Sequence, residues 1–273
     1  MGKLYLVATP IGNLEDITLR ALRILREVPL IAAEDTRHTH RLLAKYDIKT
    51  PTISYHEHNK EKREAALLAA LAAGDVALVS DAGTPGLSDP GYELVCTAVA
   101  QGIEVVPVPG PAAPIAALIA SGLPTDSFLF IGYLPRKSSE RRALLEQLRG
   151  QPRTLILFEV PHRVQESLAE IEAVLGGERP MAAARELTKL HEEFLRGSIA
   201  EVRAAIESGA PRGEYTLIIG PAPQDEAWPE SRVRERLKTM IAQGLSHADA
   251  ARQVSQESGW PRNDVYRLGL EGS

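Results

Sequence analysis

Short apolar runs alternate with longer segments of helical periodicity through residues 1–123 of the chain. The runs are rich in Val, Ile and Leu, which is typical of strands buried on both faces. Strands that alternate with helices predict a parallel sheet covered by helices on both sides. The predicted strands are Leu4–Ala8, Leu30–Ala33, Thr52–Tyr55, Val76–Ser80 and Glu104–Val108.

Glycines mark the predicted ends of several helices. The clearest helix, Lys60–Ala73, follows Asn59, a residue type that favours helix N-caps, and stops at Gly74. Helices predicted over Gly91–Gln101 and Ala112–Ser121 are each followed by a glycine in the same way. The first domain is therefore expected to span residues 1–123.

The same alternation continues and predicts a second α/β domain over residues 124–222. The fold class expected from the pattern is thus α/β, with two α/β domains. The predicted strands are Phe128–Tyr133, Thr154–Phe158, Met181–Ala184 and Tyr215–Gly220, and the predicted helices are Ser139–Arg149, Val164–Leu175 and Ser198–Ser208.

A stretch rich in Pro and acidic residues, "GPAPQDEAWPES", follows and reads as a linker. Residues 231–273 then have only helical periodicity, with one helix ending at Ala242, a second over Ser246–Glu257 and a third from Asp264. Helices joined by a tight turn containing glycine predict a small C-terminal module of the helix-turn-helix type.

Composition narrows the class of protein. A chain of 273 residues with 44% hydrophobic and 25% charged residues is an ordinary globular protein, and no apolar run is long enough to span a membrane. A single cysteine, Cys96, excludes an internal disulfide and favours the cytoplasm. Its place on an apolar helix face predicts that it is buried.

Charge is informative only locally, because the net charge is −5. From Pro135 to Arg153, six basic residues stand against two acidic ones. The stretch is either a solvated helix face or a patch for an anionic partner.

Three loops follow predicted strands of the first domain: "ATPIGNLED", "SDAGTPGLSDPG" and "PVPGPAAPIAAL". The carboxyl ends of parallel strands meet at one sheet edge, where such folds bind ligands. Gly and Pro fix the backbone there, and small side chains let a ligand approach the main chain. Each loop alone is also explained as a structural turn. Neither GxGxxG nor GxxxxGK[ST] occurs, which disfavours a dinucleotide fold and a P-loop.

Acidic, basic and imidazole side chains follow the second and third strands in "AAEDTRHTHRLL" and "SYHEHN". The histidines suggest a zinc site, but no further Cys or spaced ligand pattern supports one. Exposed loop residues are the simpler alternative.

Six motifs carry a resemblance to a known family. "ATPIGNLEDIT", "AAEDTRHT", "HEHN", "VSDAGTPGLSDPG", "VPVPGPAA" and "AARELTK" occur in the order seen in the tetrapyrrole methylase superfamily. They most resemble the group of ribosomal RNA small subunit methyltransferases I, which use S-adenosylmethionine to methylate the 2′-hydroxyl of a cytidine in 16S ribosomal RNA. The resemblance covers nearly the whole chain, including the tail "WPRNDVYRLGL".

The resemblance implies a class III methyltransferase fold with the cofactor, S-adenosylmethionine, in the cleft between the two α/β domains. It implies that the loop from Ser80 to Leu87 holds the methionine end of the cofactor and that segments of the second domain close over the adenine. The cofactor-binding residues expected on this basis are Pro10, Ser80, Asp81, Ala82, Gly83, Leu87, Pro111, Ala112, Ala113, Phe158, Leu187, Glu214, Tyr215 and Thr216.

The resemblance also implies 16S ribosomal RNA of the small subunit as partner, and a homodimer. Methyl transfer to a hydroxyl requires a group that accepts its proton, and Asp35 and His56 are the candidates. The residues expected to contact RNA are Arg37, Asn59, Arg136, Lys137, Arg141, Arg142, Arg185 and Lys189.

Two other functions compete with this interpretation. A methylase of the same fold could act on a tetrapyrrole, although such a substrate requires neither the basic stretch nor the helical tail. A ligand-sensing regulator could bind DNA through the tail. However, the helix that would read DNA carries Arg267 between the acidic residues Asp264 and Glu271, and residues 231–273 contain only seven basic and five acidic residues.

Overall fold

The computed structural model describes residues 2–223 and 228–270. The chain divides into two compact units, Met1–Pro221 and Ala222–Ser273. The first unit contains two five-stranded sheets, and the second is helical. The fold class predicted from the sequence is confirmed. Within the described residues, no helix has the length and apolar character that crossing a membrane requires.

The first sheet is entirely parallel, as predicted, with the strand order β3-β2-β4-β1-β5. Its strands and the helices between them are β1 (Leu4–Val7), α1 (Leu19–Glu27), β2 (Leu30–Ala33), α2 (Thr36–Lys45), β3 (Thr52–Ser54), α3 (Lys60–Ala73), β4 (Val76–Val79), α4 (Tyr92–Ala100) and β5 (Val105–Val108).

The central strand β4 is buried at every residue, and its side chains alternate between the two faces of the sheet. Ala77 and Val79 belong to the core under α1 and α2. Val76 and Leu78 belong to the core under α3 and α4. Burial on both faces explains why this strand is a continuous apolar run.

The second sheet is mixed, with the order β6-β7-β10-β8-β9. Only β6 and β7 are parallel, whereas β10 runs antiparallel to β7 and β8, and β8 runs antiparallel to β9. The elements are β6 (Phe128–Tyr133), α6 (Ser138–Leu148), β7 (Thr154–Glu159), α7 (Val164–Leu175), β8 (Pro180–Arg185), β9 (Glu193–Ser198), α8 (Ile199–Glu207) and β10 (Tyr215–Ile219).

The helix α5 (Ala113–Ser121) packs against the second sheet, although it follows the last strand of the first. Ala117 and Leu118 share a core with Ile218 of the central strand β10 and Ile156 of its neighbour β7. The predicted boundary after residue 123 therefore separates α5 from the sheet it covers. The helix is apolar nearly all round, so periodicity alone did not assign it to either sheet.

The second unit consists of α9 (Glu230–Ala242), α10 (His247–Ser258) and α11 (Arg262–Leu270) around a small core that includes Val233, Leu237 and Val254. Gly259 ends α10 in the left-handed conformation, with φ of 72°. The indole nitrogen of Trp260 donates to the carbonyl of Trp228 (2.6 Å). The predicted helical module is thus present. Residues 224–227 of the predicted linker, and Glu271 to Ser273, lie outside the described residues.

Cys96 is exposed on α4, so the prediction that it is buried was wrong. The core positions of this helix are Leu94 and Ala98, whereas Tyr92 and Val99 share the exposure of Cys96. Because most of α4 is apolar, its sequence did not show which side faces the sheet.

Candidate functional site

The three loops that follow β1, β4 and β5 meet at one edge of the first sheet. Thr9 and Gly83 form an isolated antiparallel bridge, in which each backbone N–H donates to the other residue's carbonyl (2.8 and 2.9 Å). The hydroxyl of Thr84 donates to the carbonyl of Pro111 (3.3 Å). The predicted meeting of these loops is therefore present, and hydrogen bonds hold them together.

Two glycines make this arrangement sterically feasible. Gly83 has φ of 78°, in the left-handed region that favours glycine. At Gly12, a Cβ atom would lie 2.6 Å from the carbonyl oxygen of Leu187. The first loop therefore lies directly against the segment that follows β8, which joins the edges of the two sheets.

A cavity of about 290 Å³ lies between these loops and the second sheet. Its lining includes most of the predicted cofactor residues, whereas Pro10, Ser80 and Pro111 are absent from it. Pro10 and Ser80 are buried instead, and the carbonyl of Pro111 accepts from Thr84 of the lining. The predicted residues that line the cavity are Asp81, Ala82, Gly83, Leu87, Ala112, Ala113, Phe158, Leu187, Glu214, Tyr215 and Thr216.

The sequence analysis missed part of the lining. Several of the missed residues stand directly beside predicted ones along the same loops, so extending each motif by a residue or two would have found them. Tyr133 could not be found this way, because it ends β6 in a different part of the chain. The missed residues are Ile11, Glu34, Thr84, Ser88, Asp89, Pro114, Tyr133 and Glu186.

Carboxylates dominate the charge of the cavity. Burial, together with the neighbouring charges of Glu34, Asp81 and Glu214, raises the pKa of Asp89 to about 7. Burial also raises the pKa of Glu34, and it raises the pKa of Tyr133 to about 12. The basic side chain in the lining, Lys189, pairs with Glu186 (2.9 Å). The cavity is thus electrostatically suited to a ligand that carries positive charge.

The two predicted proton acceptors, Asp35 and His56, do not line the cavity. Asp35 caps the N-terminus of α2 and accepts from the backbone and guanidinium of Arg37, which lowers the pKa of the carboxyl to about 2. A carboxylate held this way is a poor base, which disfavours Asp35 as the proton acceptor. Nε2 of His56 lies 3.1 Å from the side-chain nitrogen of Asn59, and its Nδ1 is buried with no hydrogen-bond partner.

The basic stretch after β6 divides into exposed and buried members. Arg136, Lys137 and Arg142 are exposed. Arg141 is fully buried and paired with Glu166 and Glu170 (2.5 Å each). The prediction that Arg141 contacts RNA was therefore wrong, because its guanidinium is saturated inside the protein.

Of the remaining predicted RNA residues, one lines the cavity and the others lie outside its lining. Lys189 lines it, and Arg37 is exposed beside Asp35. Arg185 is half-buried and paired with Glu193 (2.5 Å), outside the lining. The side-chain nitrogen of Asn59 donates to the hydroxyl of Ser54 (3.1 Å).

Throughout residues 2–223 and 228–270, no group of three or more His, Cys, Asp or Glu side chains is placed to hold a metal ion.

Solved structures share this fold. The cobalt precorrin-4 methyltransferase of cobalamin biosynthesis has a TM-score of 0.60 at 18% identity, covering 80% of this chain and 94% of that one. Diphthine synthase has a TM-score of 0.61 at 12% identity, covering 81% and 90%. The uroporphyrin-III C-methyltransferase of Thermus thermophilus has a TM-score of 0.57 at 25% identity, covering 81% and 94%.

The fold and the cavity at its sheet edge define a methyltransferase of the tetrapyrrole methylase class. The family described as Tetrapyrrole (Corrin/Porphyrin) Methylases matches residues 3–203. Relatives named ribosomal RNA small subunit methyltransferase I are similar over nearly the full length: 51% identical in Synechocystis sp. (99% of this chain, 98% of the relative), 47% in Halalkalibacterium halodurans (98% and 94%) and 45% in Escherichia coli O157:H7 (99% and 95%). The chain belongs to the tetrapyrrole methylase family and, within it, to the ribosomal RNA small subunit methyltransferase I group. The resemblance noted in the sequence is confirmed.

Proposed function

We propose that this protein transfers the methyl group of S-adenosylmethionine to the ribose 2′-hydroxyl of a cytidine in 16S ribosomal RNA of the small ribosomal subunit. It does so in the cytoplasm and as a homodimer. The observation that carries the proposal is the full-length similarity to relatives named for this RNA, at 51% identity in the case of Synechocystis sp.. Five of the six motifs that carry the sequence resemblance also contribute residues to the lining of the cavity.

The residues of the cavity fit the cofactor. The loop from Asp81 to Leu87 offers backbone groups and small side chains, and the left-handed Gly83 leaves room for a ligand to approach the main chain. Phe158, Leu187 and Ala113 supply apolar surface for a flat ring. When bound, the cofactor supplies an electrophilic methyl group on a sulfonium cation. The carboxylates around the cavity stabilise such a positive charge.

Exposed basic residues at the mouth of the cavity bind the RNA. Arg136 and Lys137 follow Tyr133, a lining residue, by only a few positions. They contact phosphates, as do Arg142 and Arg37 at greater distance along the chain. Lys189 lies within the lining and exchanges Glu186 for a phosphate when RNA is bound.

Exposed apolar side chains support the homodimer. Tyr92 and Val99 on α4 are 70% and 62% exposed, and Ile119 on α5 is 73% exposed. Large apolar side chains that stay exposed on the surface of a single chain are typical of subunit interfaces. Light scattering of the purified protein should give twice the mass of the chain, and Ile119→Asp should give the mass of a monomer.

The activity is tested with labelled S-adenosylmethionine and small ribosomal subunits from cells that lack the activity. We expect label in one cytidine, within a dinucleotide that resists alkaline hydrolysis, since a 2′-O-methyl group blocks cleavage of the adjacent phosphodiester. Gly83→Val should incorporate none. Label on a base, or none with the wild-type protein, would refute the proposal.

A further inference from the structure

The backbone around Asp89 fixes its carboxyl group in the cavity. Ser88 has φ of 62°, an unfavourable conformation for a residue with a side chain. Gly91 has φ of 139°, and a Cβ atom there would lie 2.8 Å from Cδ2 of Leu78. Pro90 lies between them. Unfavourable conformations of this kind persist where the surroundings enforce them, and they concentrate at functional sites.

Groups from several elements face Asp89, and those that carry charge are acidic. Glu34 follows β2, Asp81 follows β4, and Glu214 precedes β10. The phenol of Tyr133 reaches the same cavity from the end of β6, and the hydroxyl of Ser80, which donates to the carbonyl of Ala82 (3.3 Å), acts on the carboxyl of Asp89 in the opposite sense and favours its ionised form. Lys189, the basic residue in the lining, is neutralised by Glu186.

This environment opposes a negative charge on Asp89. The carboxyl is half-buried, so water solvates the charge poorly, and the neighbouring carboxylates repel it. Both effects together raise the pKa of Asp89 to about 7. A cation that enters the cavity reverses the balance, because it attracts the same negative charge that the carboxylates repel.

We propose that Asp89 is the side chain by which the cavity distinguishes the cationic methyl donor from its product, which has no net charge: it holds a proton when no sulfonium is bound and releases that proton when the sulfonium binds. This inference rests on the proposed function, since it takes the cofactor to be S-adenosylmethionine. The product, S-adenosylhomocysteine, carries the same amino and carboxylate groups but a neutral thioether. Asp89 is thus a specificity-determining residue that favours exchange of product for donor.

The expected change of donor affinity with pH follows from the coupling between donor binding and the ionisation of Asp89. If the bound donor keeps Asp89 ionised, donor affinity is proportional to the ionised fraction of Asp89 in the free protein. With a pKa of about 7, that fraction rises about tenfold between pH 6 and pH 8. Donor affinity should therefore rise about tenfold over this range, whereas product affinity should change by less than about twofold.

The test is calorimetry of both ligands at pH 6, 7 and 8, in two buffers of different ionisation enthalpy. Donor binding should release protons at pH 6 and few at pH 8, and product binding should release fewer at every pH. Equal pH dependence and equal proton release for the two ligands would overturn this inference. Failure of the wild-type protein to bind either ligand at any pH would instead refute the proposed function.

Variants identify the group. Asp89→Asn should bind the donor with no pH dependence, and at pH 8 at least about tenfold more weakly than wild type. Asp89→Glu should restore proton release. Asp126→Asn, an exposed carboxyl outside the cavity, is the matched control and should behave as wild type. A pH dependence that survives in Asp89→Asn would assign the proton to Glu34 and overturn the proposal.

Discussion

Replacing Arg141 should lower the stability of the fold. A loss of RNA binding in such a variant would follow from that lower stability. Arg141 lies on α6 with none of its surface exposed, and its Nε donates to Glu170 (2.5 Å), a carboxylate whose side chain is only 8% exposed. Arg141→Met keeps the unbranched apolar stem of the side chain and removes the charged guanidinium. The variant leaves Glu170 buried without its closest cationic partner, with the hydroxyl of Ser138 (2.6 Å) and the more distant Arg142 (3.5 Å) still beside it.

The expected loss is about 3–5 kcal/mol of unfolding free energy, the usual cost of removing one member of a buried ion pair. The second partner, Glu166, adds little because its side chain is 64% exposed. The matched control is Arg142→Met. Arg142 reaches the same Glu170 at 3.5 Å, but its side chain is 60% exposed, so this variant should lose less than about 1 kcal/mol.

Urea unfolding, monitored by two spectroscopic signals, separates the destabilisation of the first unit from that of the C-terminal module. Both tryptophans, Trp228 and Trp260, lie in the C-terminal helical module, so their fluorescence reports that module. Far-UV circular dichroism reports the whole chain. Arg141→Met should shift the dichroism transition and leave the fluorescence transition in place.

Two results would contradict this reasoning. The first is equal destabilisation by Arg141→Met and Arg142→Met. The second concerns pH. Arg141 lowers the pKa of Glu170 from its ordinary 4.5 to about 2, so the pair stabilises the fold fully above pH 4.5 and the contribution is lost as pH falls through 2. The stability difference between wild type and Arg141→Met should shrink over that range, and a constant difference would refute the assignment.

Three further predictions follow from the same structure. Gly83→Val should abolish binding of S-adenosylmethionine in calorimetry and destabilise the fold by about 1–2 kcal/mol, because a β-branched residue is strained at φ of 78°; unchanged affinity would contradict this. Arg136→Glu with Lys137→Glu should weaken binding to small subunits and reduce its salt dependence while leaving cofactor affinity unchanged; equal loss of both would indicate unfolding. A chain ending at Pro221, the limit of the first unit, should bind cofactor with wild-type affinity but methylate small subunits slowly; a truncated chain that binds no cofactor would show that the module is part of the core.

The sequence predicted the parallel sheet well because its inner strands β2 and β4 are buried at nearly every residue and are therefore runs of apolar residues. It missed β9, whose sequence EFLRGS contains charge and glycine. This strand lies at the edge of the second sheet, pairs only with β8 among the named strands and is half-buried over most of its length, so little selects for an apolar pattern. The antiparallel pairs of the second sheet were likewise not evident from an α/β alternation.

The sequence predicted the parts of the candidate site that depend on the backbone conformation of a loop. It did not predict which charged side chains are buried when the helices pack. Gly and Pro residues at the end of a strand indicate the loop Asp81–Leu87. Arg141 and Asp35, in contrast, belong to residue types that are usually exposed and suited to contact a substrate. One is buried by helix packing, and the other is the N-cap of a helix that the sequence motif did not reveal.

Arg141 nonetheless supports the proposed RNA-binding segment from inside the protein. Its Nη1 lies 3.5 Å from the carbonyl of Pro135 and 3.4 Å from that of Arg136, and Arg163 donates to the carbonyls of Leu134 and Pro135 (2.9 and 3.1 Å). Two arginines directed inward therefore hold the segment from which Arg136 and Lys137 point outward. The segment also begins beside Tyr133 in the cavity wall. On the proposed function, the exposed basic side chains, including that of Lys189, attract phosphates while the carboxylates inside the cavity repel them, so a bound strand presents a ribose to the cavity with its phosphates held outside. The net charge of −5 does not show this division, because it sums the basic residues outside the cavity with the acidic residues inside it.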